Sequence, residues 1–309
     1  MRVIKKAIFG LWVFVILSIF SIISLIVSVS YNPFNLFGEM PSLEDLEKPE
    51  SELSSELYSY DNVLLGKYFR YNRSPITFNE LSNELITTLL VTEDIRFYEH
   101  SGIDFKGLLR ASYGVSKYII TIGNSELEGG GSTITQQLAK NLFKIRREKK
   151  GKLSDIRFIG LVISKVKEWI VSIKLEEFYT KKEILAMYLN TAEYGSNSYG
   201  IKVASKTYFD KLPSELNFNE SSIIVGLLNK PTKYNPYFNP ENALEKRAEI
   251  FYNLFKYDVI KRDKYDSLRV SGLNLKYKVE NQNVGQATYF RTVVRNYLIN
   301  WANENGYDL

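Results

Sequence analysis

The segment Thr92–Asp104, TEDIRFYEHSGID, concentrates acidic, aromatic and imidazole side chains. Glu93 and Asp94 are adjacent acids, Phe97 and Tyr98 adjacent aromatics, and His100 is the single histidine of the chain. On a helix, Glu93, Phe97 and His100 stand at offsets of four and seven and share one face. An aromatic packed beside a carboxylate desolvates it and raises its pKa, which makes it a usable proton acceptor near neutral pH. Asp94 and Asp104 fall to the side of that face. The competing reading is a solvated pair of surface acids and a structural histidine.

A second cluster lies in EGGGSTITQQLAKN, Glu128–Asn141. Gly129, Gly130 and Gly131 lead into Ser132, Thr133, Thr135, Gln136 and Gln137, with Lys140 one turn beyond Gln136. The spacing is not that of a P-loop. It is a glycine-rich loop, dense in neutral donors and acceptors, feeding a helix N-terminus. Such a place suits a sugar or a phosphate, although a plain loop with a helix cap would read the same way. The third cluster is cationic. From Lys140 to Lys182 there are 13 Lys or Arg against five acids, a surplus of +8, while the whole chain carries only +5. A strip of that charge could meet anionic headgroups or a phosphate-bearing substrate. Within it Lys165 and Glu168 are three apart, close enough for an ordinary ion pair on one helix face.

These clusters need helices to position them. Leu81, Leu85, Leu89 and Leu90 recur at helical spacing, with Thr77 and Glu80 placed as a capping box. QQLAKNLF starts a helix, and IRFIGLVISKVKEWIVSIKLEEFY reads as one long helix or two abutting ones. TKKEILAMYLNTAEYG reads as another, with Thr180 as its N-cap and Glu183 at the matching position. GIKVASKTYFDK, SSIIVGLL and ENALEKRAEIFYNLFKYDVI follow as further helices. LYSYDNVLLGKYFRYN alternates around Asp61-Asn62 and reads as a short hairpin.

The coarse features set the context. There is no cysteine, hence neither a disulfide framework nor a thiolate site. The net charge is not that of an obligate nucleic-acid binder, so no nucleic-acid partner is expected. Ala7–Ser30 contains no charged residue, and its 24 positions exceed the roughly 20 that cross a hydrocarbon core. Arg2, Lys5 and Lys6 precede it and EMPSLEDLEKPESE follows, which places the remainder outside the cytoplasm behind an uncleaved signal anchor. The expected organisation is a cytoplasmic tip and transmembrane anchor at 1–30, a linker at 31–55, a catalytic domain at 56–262 and a further segment at 263–309.

Taken in this order the clusters resemble the glycosyltransferase family 51 domain, the peptidoglycan transglycosylase of class A penicillin-binding proteins and of monofunctional transglycosylases. EDIRFYEHSGID is similar to the family's first motif, Glu-Asp-x-x-Phe-x-x-His-x-Gly, which takes in Gly102. GGSTITQQLAKN matches the second, SKVKE looks like the third, Arg-Lys-x-x-Glu, and KKEILAMYLN, with Asn190, resembles the fourth. YGSNSYGIKVASKTYFDK and KPTKYNP resemble the tail of the domain, so the likeness runs from about Ile76 to Ile260. The third motif departs from the family at Ser164, where the family has Arg; Arg157 or another residue of the basic strip is a candidate to supply that charge.

The resemblance implies a mainly α fold: a lysozyme-like, two-lobed helical domain behind a transmembrane helix, with a short β-hairpin. It implies a peptidoglycan glycosyltransferase that polymerises lipid II into β-1,4 glycan strands with inversion, releasing undecaprenyl pyrophosphate. Glu93 matches the general base and Glu168 the second essential acid. Lys140 and Lys165 match residues that hold the pyrophosphate. Asp94, Ser132, Thr133, Thr135, Gln136 and Gln137 would shape the donor site, and Phe97, His100, Gly102 and Asn190 would support the motifs. It implies no certain cofactor, and a divalent cation, Mg or Mn, at the pyrophosphate is compatible with the chemistry. Implied partners are lipid II, the lipid-linked glycan chain, the membrane, cell-wall synthesis proteins and a moenomycin-type inhibitor. The implied location is the bacterial cytoplasmic membrane, single-pass, with the domain on its outer face. The C-terminal stretch ATYFRTVVRNYLINWANENGYDL resembles the start of the bridge toward a transpeptidase. Two rivals stand at this point: a lysozyme-like glycan-cleaving enzyme and an inactive anchored scaffold.

Overall fold

The structure, a computed structural model, describes residues 2–47, 55–68, 74–120, 130–143, 145, 151–279 and 288–307. Among them run twelve α-helices: α1 (Arg2–Tyr31), α2 (Leu43–Glu47), α3 (Asn83–Glu93), α4 (Phe105–Ile120), α5 (Ile134–Leu142), α6 (Arg157–Phe178), α7 (Lys181–Thr191), α8 (Ile201–Phe209), α9 (Phe218–Asn229), α10 (Pro240–Lys256), α11 (Arg262–Arg269) and α12 (Thr288–Asn305). The chain is therefore mainly helical, as expected. The expected hairpin is present as β1 (Ser55–Tyr58) and β2 (Leu64–Tyr68), paired antiparallel, with Asn62 left-handed in the turn at φ 59°. The described chain falls into two compact units, one of Met1–Pro49 with Phe97–Ile184, the other of Glu50–Arg96 with Leu185–Leu309.

In the first unit α6 is the organising element, with α1, α2 and α5 all packed against it. From Ile4 to Tyr31, α1 is long and apolar enough to cross a membrane, with a mean hydropathy of 2.7. Its C-terminal end leaves that role: Val29 is buried with Phe37, Ile163 and Val166, and Leu25, Ile26 and Ile170 pack around them. The stretch beyond α1, expected as a linker, is instead docked along α6 through its described residues up to 47. Leu153 N–H donates to the Leu36 carbonyl at 2.9 Å, and Tyr179 Oη donates to the Leu46 carbonyl at 2.8 Å. Gly151 makes the tightest approach, since a Cβ there would lie 2.1 Å from the Gly38 nitrogen. The reason is local: a segment carrying Leu36, Phe37 and Leu46 has too much apolar surface to stay in water.

In the second unit α3 packs on α9 and α10, burying Leu85 and Leu89 with Ile223, Ile224, Ile250 and Leu254. The capping box does form, with Thr77 N–H and Oγ1 donating to Glu80 at 2.8 and 2.9 Å, but it closes only a 3-10 turn at Phe78–Glu80. α3 starts later because Ser82 caps it, accepting from Leu85 N–H at 3.1 Å. The expected cap of α7 is found as read, with Thr180 N–H donating to Glu183 at 2.8 Å. Past α11 the chain is stitched to this unit. Arg247 donates to the Ser271 and Gly272 carbonyls at 2.8 and 3.1 Å, and the Tyr277 ring stacks on Tyr237 at 4.0 Å.

The largest correction to the sequence reading is at the first cluster. Glu93 is the last residue of α3, Asp94 leaves helical geometry at φ −160°, and Phe97–Glu99 form a separate 3-10 turn. Glu93, Phe97 and His100 therefore do not share a helix face. Beyond that turn stands Gly102, at φ +87°, where a Cβ would sit 2.8 Å from the Ser172 backbone of α6. Only glycine takes both that dihedral and that approach without strain. Gly102→Ala is expected to lower unfolding stability by about 2–4 kcal/mol, read from the denaturation midpoint in detergent.

Candidate active site

The site residues divide between the two units. In the first, α6 presents two faces, because residues 163, 166 and 170 lie roughly opposite 165, 168 and 172 on a helix of about 3.6 residues per turn. One face carries the contact with α1. The other carries Lys165, Glu168 and Ser172. Glu168 is 1% exposed, and Lys165 Nζ meets it at 2.7 Å while keeping 36% of its own side chain open. A carboxylate so buried needs a partner, and the ammonium is that partner. Lys165 Nζ also donates to Ser132 Oγ at 2.8 Å. An ammonium has three N–H donors, so one is left for a ligand on the solvent side. Ser164 adds no donor there, since its hydroxyl donates to the Gly160 carbonyl at 2.7 Å. The side chain of Arg157, at the start of α6, lies outside the described residues, as do residues 121–129 of the glycine-rich loop and 146–150 of the basic stretch.

The second cluster is a scaffold more than a lining. Thr133 caps α5, accepting from Gln136 N–H at 3.2 Å and donating to the Gly102 carbonyl at 2.8 Å. Gln136 Nε2 donates to the same carbonyl at 3.2 Å. Thr135 Oγ1 donates to Glu176 at 2.6 Å. All three are buried, so their polar atoms are spent on the fold, whereas Ser132 and Gln137 are only partly buried. Lys140 lies in the last turn of α5, half-buried.

Two residues missed from the sequence bind these pieces together. Lys181 Nζ meets Glu176 at 2.8 Å and donates to the His100 carbonyl at 2.6 Å. It also stands 4.2 Å from the centre of the Phe97 ring, which is fully buried and edge-on to His100 at 6.1 Å. One ammonium thus joins the first motif, the second through Thr135, and the end of α6. The signal was available in the LEEFYTKK stretch, where an acid and a lysine bracket the break between α6 and α7, but only the fold shows what they enclose.

In the second unit Glu93 is half-buried at the end of α3, followed by buried Asp94. The aromatic coupled to Glu93 is Tyr188 of α7. Burial, and then the Glu93 charge, hold the Tyr188 hydroxyl well above the ordinary tyrosine range, so it stays neutral and protonated. Asn190, two residues on, brackets Ile76: its Oδ1 accepts from the Ile76 N–H at 3.1 Å and its Nδ2 donates to the Ile76 carbonyl at 2.8 Å. That pins the segment leading into α3. Among the described residues no three His, Asp or Glu side chains converge on a metal site.

Removing the Lys181 ammonium leaves Glu176 buried and uncompensated. Lys181→Met is expected to cost about 3–5 kcal/mol of stability, measured by denaturation, with a smaller loss in Thr135→Val.

Comparison with known proteins identifies the family. The sequence model of the family described as Transglycosylase matches residues 61–255. Penicillin-binding protein 1A of Escherichia coli (strain K12) is 30% identical over 270 residues, which cover 87% of this chain and 30% of that protein. Penicillin-binding protein 1A of Aquifex aeolicus (strain VF5) is 30% identical over 93% of this chain and 36% of that protein. Penicillin-binding protein 1F of Bacillus subtilis (strain 168) is 36% identical over 64% of this chain and 25% of that protein. The chain thus spans between a quarter and a little over a third of the length of these relatives. With the family's sequence model matched over most of its length and its motifs in order, the chain belongs to the transglycosylase family.

Proposed function

We propose that the chain is a peptidoglycan glycosyltransferase that polymerises lipid II into β-1,4 glycan strands. The observation that carries this reading is Lys165: a cation with one donor still open, fixed by a buried acid and a loop hydroxyl, in a chain of this family. Glu93 takes the proton from the 4-hydroxyl of the acceptor sugar. The freed oxygen attacks the anomeric carbon of the lipid-linked donor, and the bond to the α-linked pyrophosphate breaks. Its electron pair leaves with the undecaprenyl pyrophosphate, and attack from the face opposite that bond inverts the configuration. A pyrophosphate leaves readily, and what it needs from the protein is positive charge, which Lys140 and Lys165 supply. Glu168 holds Lys165 in place. Ser132 and Gln137 line the donor side, with Thr133, Thr135 and Gln136 shaping the loop from beneath. A divalent ion, where one takes part, would arrive on the pyrophosphate.

The membrane reading rests on α1 and on the unit that carries it. Phe105, Leu109 and Tyr113 of α4 and Phe158 and Leu161 of α6 are exposed, large apolar side chains of the kind a bilayer would cover. The charge difference across α1 orients the domain to the outer face of the cytoplasmic membrane. Lipid II, the lipid-linked glycan, a moenomycin-type inhibitor and other cell-wall synthesis proteins are the expected partners.

Labelled lipid II given to the purified protein is expected to yield polymer, blocked by a moenomycin-type inhibitor. Glu93→Gln should lower the rate by about 10³-fold with an unchanged melting temperature. Soluble muropeptides released from cell wall without polymer would favour a glycan-cleaving enzyme. Activity in Glu93→Gln equal to wild type would remove Glu93 from the reaction.

A further inference from the structure

α6 holds a second cation, and it is the more deeply buried one. Lys167 is 1% exposed, and its Nζ donates to the backbone carbonyl of Glu39 at 3.0 Å. It sits between Val166, which faces α1, and Glu168, which faces Lys165. Burying an ammonium is unfavourable, so packing alone would be better served by Met or Leu. What the lysine adds is a directed donor on a long stem.

That donor has a geometric use. The segment emerging from α1 runs the length of α6: Asn35 and Leu36 bond to Lys152 and Leu153 before its first turn, Glu39 to Lys167 in its middle, and Leu46 to Tyr179 at its end. The contact of α1 with α6 is apolar, through Leu25, Ile26 and Val29. Apolar contact is non-directional and tolerates sliding. The bonds at Leu36 and Leu46 hold the two ends of the segment, and the bond from the buried Lys167 stem to the Glu39 carbonyl pins its middle to the body of the helix. A lipid-linked pyrophosphate is held at the depth its tail allows, so the protein must bring its cation to that depth. A misplacement of about 1 Å can cost about 10²-fold in rate.

We propose that Lys167 is a positioning residue: it locks α6 to the chain leaving the bilayer and so sets the height of the Lys165–Glu168 face over the membrane. The inference rests on the reading of the chain as a lipid II polymerase. The test uses the full chain with Lys167→Met and Lys167→Arg, each in lipid II vesicles and in detergent micelles. In vesicles Lys167→Met should lose about tenfold in kcat with KM little changed; in micelles, where depth is not imposed, the loss should be less than about twofold. Lys167→Arg, which keeps a donor, should recover most of the rate. Equal loss in both media, or none in either, overturns the proposal. Amide exchange over Phe37–Leu46 gives a readout independent of catalysis: it should quicken in Lys167→Met and not in Lys167→Arg, and unchanged exchange overturns the clamp. A wild type that makes no polymer counts against the proposed reaction, and the exchange result alone then decides whether Lys167 is a clamp.

Discussion

The pairing of Glu168 with Lys165 constrains everything around it in the first unit. A carboxylate with 1% of its surface in water is tolerated only while a cation faces it. The cation must in turn be held, so Ser132 is brought to its other side and α5 is brought against α6. The partners are asymmetric in exposure, acid inside and ammonium at the edge. An arriving anion therefore meets the ammonium first and need not disrupt the pair to do so. In the proposed reaction it would be preorganised charge for a departing pyrophosphate, set in place before any substrate arrives.

The second constraint is that α6 does two jobs with one set of backbone bonds. A rigid helix transmits position along its length, so the face that touches α1 and the face that carries the pair cannot move separately. The polar residues that look like ligand-binding groups in the second motif serve the same end. Thr133 and Gln136 converge on one carbonyl, that of Gly102, and Thr135 joins the Glu176–Lys181 pair. They hold the floor on which Ser132 stands.

Much of this was legible in the chain, for reasons that are local. Thr180 and Glu183 announce a helix start because both partners lie within one turn, and Asp61-Asn62 announces a hairpin because the left-handed residue sits in the turn itself. The Lys165–Glu168 spacing gave the pair for the same reason. The end of α3 at Glu93 was not legible. Nothing in TEDIRFYEH breaks a helix, and the close approach of Gly102 to Ser172, 70 residues further on, is invisible in the sequence. Lys167 was counted with a solvated basic strip, since a lysine's burial depends on what covers it, and that cover comes from residues 37–46. Tyr188 and Lys181 were passed over because each matters only through a partner distant in the chain.

The chain enters the first unit, leaves it after Pro49, returns at Phe97 and leaves again after Ile184. During synthesis this fixes an order of events. Once Ile184 has emerged, α1, α2, α4, α5 and α6 all exist and can close on one another. α3 emerged earlier but must wait, because its packing partners α9 and α10 are made only after the first unit is complete. Its apolar face, Leu85 and Leu89, is then without cover while more than a hundred further residues are translated. A ribosome adds about 5–20 residues each second, so the exposure lasts on the order of ten seconds. The nascent α3 is therefore a segment with need of a chaperone, and Glu93, the proposed proton acceptor, sits at its end.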